Sequence, residues 1–362
     1  MTSGPTAKFA SPRPATSEKR AQTLDTAPLS SSLRVVALGG GTGLSTLLRG
    51  LRRHVASPEW TTEEPRHISD LAAIVTVTDD GGSSGRLRQD FNMLPPGDLR
   101  NCMVALSAEE DLLSKLFAYR FKSGKGLGGH NFGNLFVAAL TEITGDFAHA
   151  IQLASKILAT RGRIYPATTA NATLVAHMED GSIVRGETNI TASKHRIAEL
   201  MIDPPTAAAM PETLEAIQRA DLISVGPGSL YTSLITNLLV QGIPTALAEA
   251  KGTRVFICNL MTQANESLGL TASEHIERIY EHTRAPIFDY AILNTAPFSP
   301  ETLARYAAEN ASPIQVDIDR IEKLGVRCIT GDFASEEHVV RHAANRVTNA
   351  LLALGQSIPN RA

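Results

Sequence analysis

The residues with the most chemical potential sit in short polar runs, each following an apolar one. Gly39-Gly40-Gly41-Thr42-Gly43 follows VVAL and precedes the amphipathic stretch LSTLLRGL. Consecutive glycines let a chain turn sharply and bring bare backbone against a ligand. A helix starting behind them directs unpaired N–H groups and the positive end of its dipole into the turn. That chemistry suits a phosphate or a carboxylate, although packing alone can also demand glycine in a strand-to-helix turn. The dinucleotide fingerprint would need glycine at Leu44, and the P-loop would need Lys followed by Ser or Thr after its last glycine. Neither pattern is present.

A second run, TVTDDGGSSGRLR, closes the next apolar stretch. Asp79 and Asp80 offer oxygens to ribose hydroxyls or to a divalent cation such as magnesium. Ser83, Ser84 and the glycine amides can donate to a phosphate, and Arg86 brings a bidentate charge. The plainer alternative is one Asp capping a helix and the other solvated. In the downstream PPGDLRN, Asp98 is expected to cap a helix whose first turn holds Arg100 and Asn101. An arginine there opposes the dipole, which points to anion binding. GGHNFGN then places His130, Asn131 and Asn134 before an apolar helix, and His130 can serve as acid, base or phosphate donor near neutrality. Gly226-Pro227-Gly228-Ser229 repeats the strand-turn-helix logic, with Ser229 as the expected cap. Asn259, Thr262 and Gln263 end a further apolar run with groups suited to a base or sugar. Were the chain an enzyme, Asp79, Asp80 and His130 would be its catalytic candidates.

These turns need a scaffold, and the periodicity supplies one. Strands are expected at Arg34–Leu38, Leu71–Thr78, Leu222–Val225, Thr245–Leu247, Val255–Asn259 and Tyr290–Asn294. Helices are expected at Leu44–His54, Asp111–Tyr119, Gly133–Thr144, Ala148–Ala159, Leu230–Gln241, Ser273–His282 and His338–Leu354. Continuous apolar strands alternating with helices predict an α/β fold, Rossmann-like and doubly wound, with a mainly parallel sheet. Within 160–190, Arg163–Tyr165, Ala172–Met178 and Ser182–Arg185 suggest a small antiparallel hairpin insertion. Residues 1–32 are rich in Ser, Thr, Ala and Pro and carry a small positive charge, so they read as a disordered tail. An organelle transit peptide is the weaker alternative there. Residues 33–357 read as a single domain.

Composition sets outer bounds. Of 362 residues, 43% are hydrophobic and 20% charged, which is enough to bury a large core. Lys plus Arg number 34 against 37 Asp plus Glu, and this net charge of −3 argues against wrapping a nucleic acid. The three cysteines, Cys102, Cys258 and Cys328, lie too far apart for a disulfide framework or a zinc site. No apolar run approaches the roughly 20 residues of a membrane span. A cytoplasmic protein is expected.

In order and spacing, GGGTGLSTLLRGL, IVTVTDDGGSSGRLR, PPGDLRNCMVAL, GHNFGNL, GPGSLYTS and CNLMTQ resemble the bacterial YvcK-type proteins of the CofD-like superfamily. The resemblance spans Leu33 to Leu354 and departs from the pattern at Thr236 and at Ala264-Asn265-Glu266-Ser267. It implies similarity in fold to 2-phospho-L-lactate transferase, which takes its group from a nucleotide-activated donor. It also implies a gluconeogenesis factor tied to cell shape, peptidoglycan synthesis and growth on gluconeogenic carbon. The implied ligand is a UDP-sugar such as UDP-N-acetylglucosamine, with protein partners in wall synthesis and a homo-oligomer as further expectations. A transferase using magnesium and an NAD(P)-binding protein are the alternatives. A uracil ring needs a π-face and a diphosphate needs cations, for which Tyr306 and Arg341 are the candidates. Arg341 is expected to open a helix with His342, and the resemblance places an Arg-His pair at this point.

Overall fold

The computed structural model describes residue 1 and residues 32–56, 67–107, 112–264 and 266–356. Apart from Met1 and Ser32, the expected tail lies outside the described residues, as do Asp111, Asn265 and residue 357.

Seven parallel strands form the central sheet: β1 (Leu33–Gly39), β2 (Ile68–Val75), β3 (Arg163–Pro166), β7 (Leu222–Val225), β8 (Thr253–Ile257), β9 (Tyr290–Asn294) and β10 (Arg327–Gly331). Their spatial order is β10-β9-β8-β7-β1-β2-β3. A three-stranded antiparallel sheet, order β5-β4-β6, comprises β4 (Thr173–Met178), β5 (Ile183–Arg185) and β6 (Ile197–Asp203). A hairpin pairs β11 (Ala334–Glu336) with β12 (Val340–His342).

Alternation along β1 explains why the sheet is covered twice. Val35 and Ala37 enter one hydrophobic core, and Val36 and Leu38 enter the other. The first core takes Leu44, Leu47, Leu48 and Leu51 from the helix Gly41–Leu51, and Cys102 and Met103 from the helix Gly97–Leu106. The second takes Leu174 and Ala176 of β4 and Ile276 and Ile279 of the helix Ala272–Thr283. With both faces buried, strands become apolar throughout. Among the described residues no helix is long and apolar enough to cross a membrane.

The predicted doubly wound architecture holds, with local corrections. Thr245–Leu247 is helical, inside Ile243–Glu249, where Pro244 opens the helix after Gly242 at φ +93°. Three residues of mixed propensity carry no period, so the flanking helix signal decides. Arg163–Tyr165 belongs to the main sheet as β3, parallel to β2, and only β4 and β5 form the expected hairpin. Arg341 and His342 lie in strand β12, and the helix begins at Ala344. The β-branched Val339-Val340 pair favours an extended backbone just before the helix-forming run. The Leu230–Gln241 stretch opens as a π-helix at Leu230–Ile235, with Leu234 N–H donating five residues back to the Ser229 carbonyl at 3.0 Å.

Candidate functional site

Sheet order places the site. The winding order reverses between the parallel neighbours β1, from which the sheet continues toward β2 and β3, and β7, from which it continues toward β8 to β10. Ligands of open parallel sheets bind beyond the carboxyl ends of the strands at such a switch point. A cavity of about 520 Å³ lies there, lined by Gly40–Gly43, by Pro227–Ser229, by the segment after β8, and by Tyr306 and Arg341. That volume is in the ordinary range for a small-molecule site, roughly 300–1,000 Å³.

The glycines of the first turn have separate reasons. Gly41 sits at φ +60°. A Cβ on Gly40 would stand 2.4 Å from Thr76 Cγ2, and one on Gly43 would stand 2.4 Å from the Pro227 carbonyl oxygen. The two turns thus press backbone on backbone, which only glycine permits. Gly39 ends β1, where its carbonyl accepts from Asn237 Nδ2 at 3.0 Å, and Gly226 adopts φ +95°.

A helix N-terminus attracts anions, and here protein carboxylates hold part of both termini. Gly41 N–H donates to Asp98 Oδ2 at 2.7 Å. Asp98 therefore does not cap its own helix, whose N-cap is Pro96 without a side-chain bond. Its pKa is pushed up to about 6, chiefly by burial and partly by Asp79, while the bonds from Gly41 and Asn101 oppose the rise. At the second turn, Glu266 accepts from Tyr231 N–H at 3.1 Å, Thr232 N–H at 3.4 Å and Thr232 Oγ1 at 2.8 Å. Ser229 makes no cap either, and its hydroxyl accepts from Gln263 Nε2. Among the described residues the N–H groups of Thr42 and Gly43 have no protein acceptor, and both residues line the cavity. These are the amides left for a ligand anion.

On the opposite wall, Tyr306 is fixed by accepting from Val340 N–H at 2.9 Å. The Arg305 guanidinium lies 5.7 Å from the Tyr306 ring centroid, within cation–π range. Arg341 is exposed and has no side-chain partner among the described residues. Asn259 Oδ1 accepts from Gly228 N–H at 3.3 Å, tying the second turn to the segment after β8. Thr262 is buried and accepts from Ser312 N–H at 2.9 Å, so its hydroxyl braces the wall.

Other expected site residues gather outside the cavity lining, beyond the end of β2. Ser83 Oγ meets His130 Nδ1 at 3.1 Å, and Asn131 N–H donates to Ser83 Oγ. Burial, and after it the Arg86 and Arg120 charges, lowers the His130 pKa. Arg86 donates to the Gly128 carbonyl. Arg100 donates to Asn134 Oδ1, and burial with Arg120 nearby lowers its pKa to about 10. Asn131 caps the helix Phe132–Thr144 by accepting from Asn134 N–H. Ser84 is buried, with its hydroxyl packed against Gly97.

The acid pair separates. Asp79 Oδ1 accepts from Gly81 N–H at 2.9 Å, whereas Asp80 Oδ1 accepts from Thr188 N–H and Oγ1 at 2.8 and 2.6 Å. The two side chains bond to different segments, and among the described residues no group of three His, Cys, Asp or Glu could hold a metal. Near them lies Glu187, which accepts from Thr78 Oγ1 at 3.3 Å and which no sequence signal marked. Burial, then the charges of Asp79, Asp98, Glu266 and Asp80, push its pKa up to about 9. Glu266 and His342 stand out in the sequence only as a departure from the family pattern and as the neighbour of Arg341, because a single acid or imidazole carries no periodic signature that marks a site.

The family profile described as "2-phospho-L-lactate transferase CofD" matches residues 35–334. A gluconeogenesis factor from Halalkalibacterium halodurans is 46% identical over 319 residues, 88% of this chain and 95% of that protein. One from Bacillus subtilis is 41% identical over 322 residues, 89% of this chain and 98% of that protein. A crystal structure of a Bacillus halodurans protein, 44% identical, superposes with a TM-score of 0.84 and covers 89% of this chain and all of its own. Matches of this extent, on a glycine-turn cavity at the switch point of the same sheet, establish that the chain belongs to the CofD family, alongside the gluconeogenesis factors.

Proposed function

We propose that this chain is a cytoplasmic regulatory factor that binds a nucleotide-sugar, of which UDP-N-acetylglucosamine is the best candidate, and couples carbon supply to cell shape and peptidoglycan synthesis. The gluconeogenesis-factor relatives support the carbon-supply part of this reading. The ligand reading is carried by the Thr42 and Gly43 amides, which have no acceptor among the described residues and line a cavity that Tyr306 and Arg341 also line. A diphosphate against those amides would gain dipole and hydrogen-bond stabilisation. The ring of Tyr306 would offer a stacking face to the base. Protein partners in wall synthesis and a homo-oligomer belong to the same proposal.

The test is a crystal structure with UDP-N-acetylglucosamine, grown with and without magnesium. Phosphates seated on Thr42 and Gly43 support the reading, and an empty cavity at millimolar ligand removes it. The second reading, a transferase moving a 2-phospho-L-lactate-like group, is favoured by the family profile. Asp79 and Asp80 are the residues that would hold magnesium in that reading, and no step is built on the metal. Product formed from a nucleotide-activated phospholactate would establish it.

A further inference from the structure

His342 lines the cavity next to Arg341, yet its bonding is unlike that of a phosphate-binding cation. Its Nε2 lies 3.0 Å from the Cys258 carbonyl oxygen, immediately beyond β8. A carbonyl only accepts, so Nε2 must carry the proton. Among the described residues this is the only hydrogen bond of the His342 side chain, so Nδ1 has no protein partner there. In the neutral imidazole the second nitrogen is a bare lone pair, which makes it an acceptor. Burial holds the ring neutral, lowering its pKa to about 4 although the bond to Cys258 works the other way. The remaining wall supplies donors, the Thr42 and Gly43 amides, Arg341 and Arg305, with the exposed Glu309 and the Gln263 amide oxygen as further acceptors. Anions are served by the donors, and a neutral lone-pair acceptor beside Arg341 is suited to something else.

We propose that His342 Nδ1 is a specificity-determining acceptor, taking a hydrogen bond from an N–H or O–H of the nucleotide, with the ring held in its Nε2–H form by Cys258. The assignment rests on the nucleotide-sugar reading above. Two sources of donor satisfy it. A base with an imino N–H, such as uracil, presents one, where cytosine has a lone pair at the same position. A ribose hydroxyl presents the other. A lone pair facing a lone pair leaves both unpaired and desolvated, which is the strongest form of discrimination a buried polar site has.

Calorimetric titration of the full chain with UDP, N3-methyl-UDP, 2′-deoxy-UDP and 3′-deoxy-UDP separates these sources. At least one modified nucleotide is expected to bind tenfold or more weakly than UDP. Loss on N3-methylation identifies the base as donor, and loss on deoxygenation identifies the sugar. In His342→Leu, which carries no acceptor, that penalty should shrink to within twofold, whereas His342→Gln, whose Nε2 can donate to the Cys258 carbonyl while Oε1 takes the place of Nδ1, should retain most of it. Equal binding of all four ligands, or a penalty that survives in His342→Leu, overturns the assignment while leaving the nucleotide reading intact. Failure of UDP itself to bind overturns the nucleotide reading and this assignment with it. A measurement without ligand is available in the ¹⁵N spectrum of the histidine rings. A neutral Nε2–H tautomer at pH 6 agrees with the assignment, and an imidazolium or an Nδ1–H tautomer contradicts it.

Discussion

Arg341 and Glu187 stand at opposite extremes of solvation, and each makes a distinct prediction. Arg341 is exposed at the cavity rim on β12, with no carboxylate to satisfy it among the described residues. Removing it should leave folding almost untouched, within about 0.5 kcal/mol, as for most surface substitutions. Arg341→Ala should nevertheless weaken UDP-sugar binding by about 1.5–3 kcal/mol, the range for a charged hydrogen bond. Parallel titration and thermal melts of the variant read both quantities. Unchanged affinity would remove Arg341 from the site. Glu187 is half-buried amid Asp79, Asp98, Glu266 and Asp80, with its pKa raised to about 9. A carboxyl with a raised folded-state pKa binds more protons folded than unfolded between its two pKa values. Stability therefore falls as pH rises from about 4.5 toward 9. Glu187→Gln removes that loss, so the variant should match the parent near pH 4.5 and exceed it increasingly toward pH 9. The gain should be on the order of 1–2 kcal/mol at pH 8, reduced from the full shift by solvent screening. Denaturant melts from pH 5 to 9 test this, and parallel pH profiles for parent and variant would count against it.

The two glycine turns act as one element, because each is the wall against which the other packs. A Cβ at Gly43 would collide with the Pro227 carbonyl, which is backbone and has nowhere to rotate. Gly43→Ala should therefore cost about 1–3 kcal/mol, the usual range for forcing a methyl into a packed site. Thr42→Ala, at an exposed neighbour, should cost under about 0.5 kcal/mol. Equal urea midpoints for the two variants would contradict the backbone contact. The sequence showed these turns well: three consecutive glycines between an apolar run and an amphipathic one have few other uses. It did not show that Asp98 and Glu266 occupy part of the two helix N-termini, since both approach from distant segments. Nor did it show β12. Val340-Arg341-His342 becomes a strand only because Ala334–Glu336 pairs with it, a tertiary choice that overrides a helix-like run.

Across the whole molecule, the fold was the most legible part. Doubly buried strands are apolar at every position, and that signal survives without any knowledge of their order. The strand order was not legible, and it determines which turns share a cavity. Hence the predicted site resolves into two groups. Gly40–Gly43, Pro227–Ser229, Asn259, Thr262, Tyr306 and Arg341 surround the switch-point cavity. Ser83, Arg86, Arg100, His130, Asn131 and Asn134 bond among themselves and their loops beyond β2. On the proposed function, the cavity between β1 and β7 takes a nucleotide-sugar by its phosphates. Calorimetric titration of UDP-N-acetylglucosamine into the full chain, alongside uridine and N-acetylglucosamine, tests this. Saturable one-site binding of the nucleotide-sugar is expected, with binding at least a hundredfold weaker for the two phosphate-free compounds, a gap of about 2.7 kcal/mol or more. Equal affinity for uridine and UDP-N-acetylglucosamine, or no heat from either at millimolar concentration, would contradict it.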